Sequence, residues 1–131
     1  MTGVPITLDI TLDTGALLGL ERRNERAQGL VRRASRTGAR ISIPAGVLAQ
    51  AWRASRRQHA LAVLLGQDNV IVVPLDTRSA LACGAVLAAT GTSDVVDASV
   101  VVTARELGSV VVTSDPGDIA TLDPDLEIVT I

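Results

Sequence analysis

Apolar positions along the chain recur with two different periods, and the alternation between those periods predicts the architecture. Ile6–Leu12 alternates apolar and polar residues, includes β-branched types, and reads as a strand ending at Asp13. Ala16–Leu20 has helical character, and an arginine-rich helix follows over Glu25–Thr37 with Gly38 as its stop. Ile41–Pro44 reads as a short strand cut by its proline. Gly46–Arg56 and Gln58–Leu65 read as two helices or one broken helix, stopped at Gly66. Val70–Leu75 has the continuous apolar run of a strand covered on both faces. Thr77 is the expected N-cap of a helix reaching Ala89 and ending at Thr90-Gly91. A further helix is expected over Asp94–Leu107, stopped by Gly108. Val110–Thr113 then reads as a strand, the Asp115-Pro116 step opens a short helix, and Glu127–Ile131 is a final strand.

Strands alternating with helices predict one α/β domain over residues 1–131 with a mostly parallel sheet. Such sheets place their sites beyond the carboxyl ends of the strands, so acids there draw attention. Asp13 ends the first strand, and Asp115 follows the strand Val110–Thr113. Asp94 and Asp97 stand three residues apart at the start of a helix, hence on one face. Asp118 and Ser114 lie close in sequence to Asp115. Each acid could serve singly as a helix cap or a turn residue. Gathered together, unpaired carboxylates repel one another unless a hard divalent cation joins them. Mg²⁺ or Mn²⁺ at such a cluster acidifies water and stabilises charge on a phosphate, chemistry that needs no histidine, lysine or cysteine.

The composition agrees with that economy. The chain has one cysteine and one histidine, Cys83 and His59, which excludes an internal disulfide and a zinc cluster. Cys83 is expected in the core and His59 at the surface. Trp52 is the only aromatic residue, expected in the core or at a dimer interface, and an aromatic base-stacking platform is excluded. The first residues, Met1–Ile6, lack the basic and apolar segments of a secretory leader, and no run approaches ~18 consecutive apolar residues. A cytoplasmic protein without a membrane span is therefore expected.

Net charge is −2, but its distribution is uneven. All twelve cations are arginines; ten lie between Arg22 and Arg57, where Glu25 is the only acid. The rest of the chain sets Arg78 and Arg105 against thirteen acids. The asymmetry suggests one surface for a polyanion and another for cations. Arginine's planar fork suits a phosphate track, with Arg22, Arg23 and Arg53 as candidate contacts to such a polyanion.

These residues also carry a family likeness. The anchors are Asp13-Thr14-Gly15-Ala16-Leu17 after the first strand, Ile43–Ala49, the helix from Asp97 to Ala104, and Val111–Asp115. Their order and spacing resemble PIN-domain proteins, above all the VapC-type toxins of toxin–antitoxin pairs, over about Ile10 to Ile128. The resemblance implies a three-layer α/β/α sandwich with a five-stranded sheet and Mg²⁺- or Mn²⁺-dependent cleavage of RNA. It implies Asp13, Asp97 and Asp115 as metal ligands and catalytic acids, with Asp94 an additional acid beside them. It also implies a homodimer and a cognate antitoxin. One position departs from the pattern: where many relatives carry glutamate, this chain has Gln50, which brings an oxygen without charge; Asp94 or Glu21 could compensate.

That departure keeps open a second reading, an inactive PIN-like interaction module. Two others fit poorly. Leu12–Ala16 matches the aspartic-protease signature, but the helical pattern around it does not. A phosphorelay receiver needs a lysine, and the chain has none.

Overall fold

The fold follows from how a central parallel sheet is covered. The computed structural model describes residues 8–131. Five strands lie in the order β3-β2-β1-β4-β5, every pairing parallel: β1 (Ile10–Leu12), β2 (Ile41–Pro44), β3 (Val70–Val73), β4 (Val110–Thr113) and β5 (Ile128–Thr130). The first part of the expected opening strand, and the residues on which a leader was excluded, lie outside the described residues. β1 and β4 are central and fully buried, and their β-branched and leucine side chains form the middle of the core.

Seven helices among the described residues complete the layers: α1 (Thr14–Glu21), α2 (Glu25–Thr37), α3 (Ala45–Ala51), α4 (His59–Leu65), α5 (Thr77–Thr90), α6 (Val95–Leu107) and α7 (Pro116–Leu122). α6 is the core helix, apolar because it is covered almost all round: Ala98–Ala104 is buried without interruption against β1, β2 and β4. α1 contacts β1 and β4 as well as α2, α3 and α4, while α5 and α7 join α6. Gly38 and Gly108, expected as stops, end α2 and α6 in the left-handed conformation that glycine adopts without strain. The mostly parallel α/β domain expected from the alternating periods, and the five-stranded sandwich that the resemblance implies, are the observed ones, which excludes the mostly-β protease reading. No single helix among the described residues is long and apolar enough to cross a membrane.

Three local expectations need correction. β3 is an edge strand, with Ile71 and Val72 exposed, rather than a strand covered on both faces. A VIVV run looks the same at the edge and in the centre, because periodicity reports faces and not neighbours. The N-cap of α5 is Asp76, whose carboxylate accepts the Ser79 N–H at 2.8 Å, and not Thr77. The stretch after β2 breaks at Ala51, well before Arg56. There the buried Gln58 side chain donates to the Ala51 carbonyl and accepts the Arg53 N–H, both at 2.7 Å, and so holds the Trp52–Ser55 turn closed. Trp52 is about a third exposed beside that turn, outside the core. Cys83 is buried and His59 exposed, as expected.

Candidate active site

The geometry of the carboxyl-end edge starts with strand register. β1 and β4 pair Leu12 with Val112, so the next residues, Asp13 just past β1 and Thr113 at the end of β4, come side by side at the carboxyl edge. Asp13 also caps α1: one carboxylate oxygen accepts the Ala16 N–H at 2.8 Å. The other oxygen accepts the Thr113 hydroxyl, and the same hydroxyl oxygen accepts the Asp115 N–H at 2.8 Å. One buried hydroxyl thus ties the side chain of Asp13 to the backbone of Asp115. Asp13 is buried, and burial pushes its pKa up; the Thr113 and Ala16 hydrogen bonds oppose this, and the Asp115 charge adds to it.

From the other side, α6 brings two more acids. Asp94 caps the helix by accepting the Asp97 N–H at 2.9 Å. Asp97 itself is half-buried one turn on. Burial, and then the charges of Asp94, Asp118, Asp13 and Asp115, raise its pKa to about 6. Asp97 therefore sits in the field of four other carboxylates drawn from three separate segments. The ion pair found among the described residues is elsewhere, Arg105 to Asp123 at 2.6 Å. No three acids among the described residues are already gathered into one ligand shell. Two of them, Asp13 and Asp94, spend an oxygen on capping a helix. As donors they are nonetheless all oxygen and without an ion-pair partner among the described residues, Asp13 buried, Asp97 half-buried and Asp94, Asp115 and Asp118 exposed, a set that fits the hard cations Mg²⁺ and Mn²⁺.

Two open grooves flank the acids. One, about 350 Å³, is lined by Thr92, Ser93, Asp94, Asp97, Asp118 and Thr121. The other, about 490 Å³, runs along α1 past Thr14, Gly15, Arg22 and Asn24 to Ser114 and Asp115. Gly15 is required in its wall, because a Cβ there would fall 2.0 Å from the Ser114 hydroxyl oxygen and 3.1 Å from Ser114 Cβ. Gln50 comes to this side of the cluster, its amide oxygen accepting the Thr14 hydroxyl at 2.6 Å. Glu21 is seven residues along α1 from Thr14, about 10 Å by helical rise, and is absent from the charges acting on Asp13 and Asp97.

The arginines do not form one track. Arg22 lines the groove beside Asp115, whereas Arg33 lines a cleft with Ile10 and Val110, at the starts of β1 and β4. α2 thus carries its arginines from the acidic edge toward the opposite pole. Arg23 is exposed in the turn before α2. Arg53 folds back, its guanidinium donating to the Ala49 and Trp52 carbonyls at 3.1 and 2.7 Å. Thr113 is the site residue that sequence reasoning missed. A hydroxyl at a buried strand end, one register step from an acid, was the available clue.

A family model described as PIN domain matches residues 10–123, and the chain belongs to that family. Solved structures agree in fold. VapBC2 from Rickettsia felis, bound to a DNA fragment from its promoter, superposes with a TM-score of 0.71 at 14% identity, covering 95% of this chain and 99% of that one. DNA-bound VapBC from Salmonella typhimurium gives 0.67 at 23% identity, covering 94% and 98%. VapC20 of Mycobacterium tuberculosis, described as a toxin cleaving the sarcin-ricin loop, gives 0.52 at 15% identity, covering 77% and 85%. No curated protein sequence matches the chain.

The raised pKa of Asp97 predicts how stability varies with pH in the absence of metal. The folded state binds the Asp97 proton more tightly than the unfolded state does. Its stabilising contribution is therefore complete below the ordinary carboxylate value of 3.8 and is lost as pH rises through about 6. After screening at a half-exposed position the effect is on the order of 1 kcal/mol. Thermal melts in a chelator should show stability falling between pH 4 and 6, partly through Asp13, whose shift has the same sign. Asp97→Asn should flatten that slope and be at least as stable as the parent at pH 7; an unchanged slope would contradict the crowding.

Proposed function

We propose that this chain is a Mg²⁺- or Mn²⁺-dependent endoribonuclease, the toxin of a toxin–antitoxin pair. The observation that carries the reading is the placement of Asp13 after β1, Asp115 after β4 and Asp97 in the first turn of α6 at one carboxyl edge of a parallel sheet, with burial and the surrounding carboxylates raising the pKa of Asp97 to about 6. Membership of the PIN family and a fold shared with VapBC structures support it. Asp13, Asp97 and Asp115 would hold the cation, with Asp94 and Asp118 beside them. When bound, the cation supplies an acidified water and neutralises charge on the phosphate.

The remaining work falls to the protein's own groups. Thr113 and the Ala16 N–H fix the orientation of Asp13, so a ligand oxygen need not be ordered at the moment of binding. Burial and the surrounding carboxylates raise the pKa of Asp97 to about 6, so a cation bound there would favour its ionised form. Gln50 offers an amide oxygen already engaged by Thr14, which lowers the negative charge of the site relative to glutamate. Arg22, the only cation lining either groove, binds a backbone phosphate of RNA alongside Asp115. Arg23 is exposed near it, whereas Arg53, tied to backbone carbonyls, is a weaker RNA contact. Open grooves on both sides of the acids suit a strand that continues past the cut, hence an internal cleavage. A VapB-like antitoxin is the expected regulator, as in the complexes that share the fold. An inactive interaction module remains the second reading, favoured by Gln50.

Single-stranded RNA incubated with Mn²⁺ should be cut internally. Asp97→Asn should reduce the rate at least 100-fold while circular dichroism shows an unchanged fold; equal cleavage by the variant would remove the proposal. Arg22→Ala should weaken RNA binding for all sequences alike and lower the salt slope of log K by about 1. A slope equal to that of the parent protein would take Arg22 out of the RNA path.

A further inference from the structure

α2 turns an almost wholly cationic face to solvent, and the acidic edge makes no use of it. Ala27, Val31 and Ala34 are the buried side of the helix. At 3.6 residues per turn, Arg26, Arg32, Arg33 and Arg36 fan over about 120° on the opposite side. All four are exposed, and none forms an ion pair among the described residues. Glu25 is the only acid of the helix, while Arg32 and Arg36, one turn apart, repel each other. Gly29 lies in the middle of the fan and adds an independent observation. A Cβ built there meets nothing within 4 Å, so packing within the protein does not call for glycine. Glycine is also a poor residue for a helix interior. Without a side chain, the helix surface between Arg26 and Arg33 stays low, and a phosphate backbone can approach between the guanidinium groups.

We propose that this face binds the paired stem of a folded RNA whose unpaired part reaches the acidic edge. The inference rests on the nuclease reading and names the kind of substrate that site takes. Continuity favours this occupant. Asn24, the N-cap of α2, lines the same groove as Arg22 and Asp115, so a strand leaving that groove meets α2 at once. From Asn24 to Arg36 the helix then runs about 18 Å toward the opposite pole, a reach of several nucleotides. The chemistry of the face selects a stem over other polyanions. No large apolar side chain of α2 is exposed, so the face has neither a wedge for a bilayer nor a ring on which an unpaired base could stack. Its contacts fall on phosphates and sugar hydroxyls, the groups that a stem turns outward while its bases face in. Arginine forks grip phosphate bidentately. A rigid helix and a rigid stem also meet without the entropy cost of ordering a mobile strand.

Binding is read with a chelator present, so that nothing is cut and cleavage plays no part in the result. The probes are a fluorescent stem-loop of arbitrary sequence and an unpaired oligonucleotide of the same length. The parent protein should bind the stem-loop at least 5-fold more tightly. A variant carrying Arg26→Gln, Arg33→Gln and Arg36→Gln should keep the circular dichroism spectrum, since all three positions are exposed. It should lose at least 10-fold in stem-loop affinity and lower the salt slope of log K by about 2 to 3. Its affinity for the unpaired oligonucleotide should stay within about 2-fold of the parent's. Equal binding of the two RNAs by the parent, or stem-loop affinity retained by the triple variant, would overturn the inference; the second result would leave the face to an acidic protein. A stem-loop preference that the triple variant loses upholds it even if Mn²⁺ brings no cleavage, a result that would count against the nuclease reading alone.

Discussion

Crowding of like charge at one edge of a parallel sheet is the constraint on which the rest of this structure turns. Five carboxylates that follow β1 and β4 or open α6 and α7 share an edge, and burial, followed by the charges of the other four, raises the pKa of Asp97 to about 6. Folding works against that repulsion. The sheet can bear it because the core beneath is uniformly aliphatic and closely covered, with α6 buried along most of its length. The parallel topology is also what brings the acids together, since strands running the same way deliver all their loops to one side.

Support for the acids comes from groups that carry no charge. The Thr113 hydroxyl bridges Asp13 and the Asp115 backbone, and helix N–H groups occupy one oxygen each on Asp13 and Asp94. These bonds orient the carboxylates without neutralising them, which leaves their charge for a cation. Gln50 fits the same economy. Hydrogen-bonded to Thr14, it extends the polar wall while keeping the total negative charge lower than a glutamate would. Of the arginines, only Arg22 lines either groove beside the cluster, and among the described residues no ion pair engages these acids.

Much of this was legible in the chain because its cause is local. Asp13 and Asp115 follow apolar strand segments, and Asp94 and Asp97 open a helix whose Val, Ala and Ser residues announce a buried element. Spatial properties were harder to read. The arginine-rich segment is continuous in sequence, yet α2 carries it from the acidic edge to the far pole. Val70–Val73 has a core composition, yet it ends the sheet, because which strand is outermost depends on topology and not on its own residues. Thr113 gained its role from the register between β1 and β4, which no single segment reveals.

The central claim is that these acids await a divalent cation, and proton release on binding tests it most directly. Calorimetric titration with Mn²⁺ at pH 6, in two buffers of different ionisation enthalpy, counts the protons displaced. About half a proton per site should be released at pH 6 through Asp97, falling toward zero at pH 8, where that carboxylate is already ionised. The release should be markedly reduced in Asp97→Asn. Binding that displaces no proton at pH 6, or the absence of any binding that Asp13→Asn removes, would contradict the account.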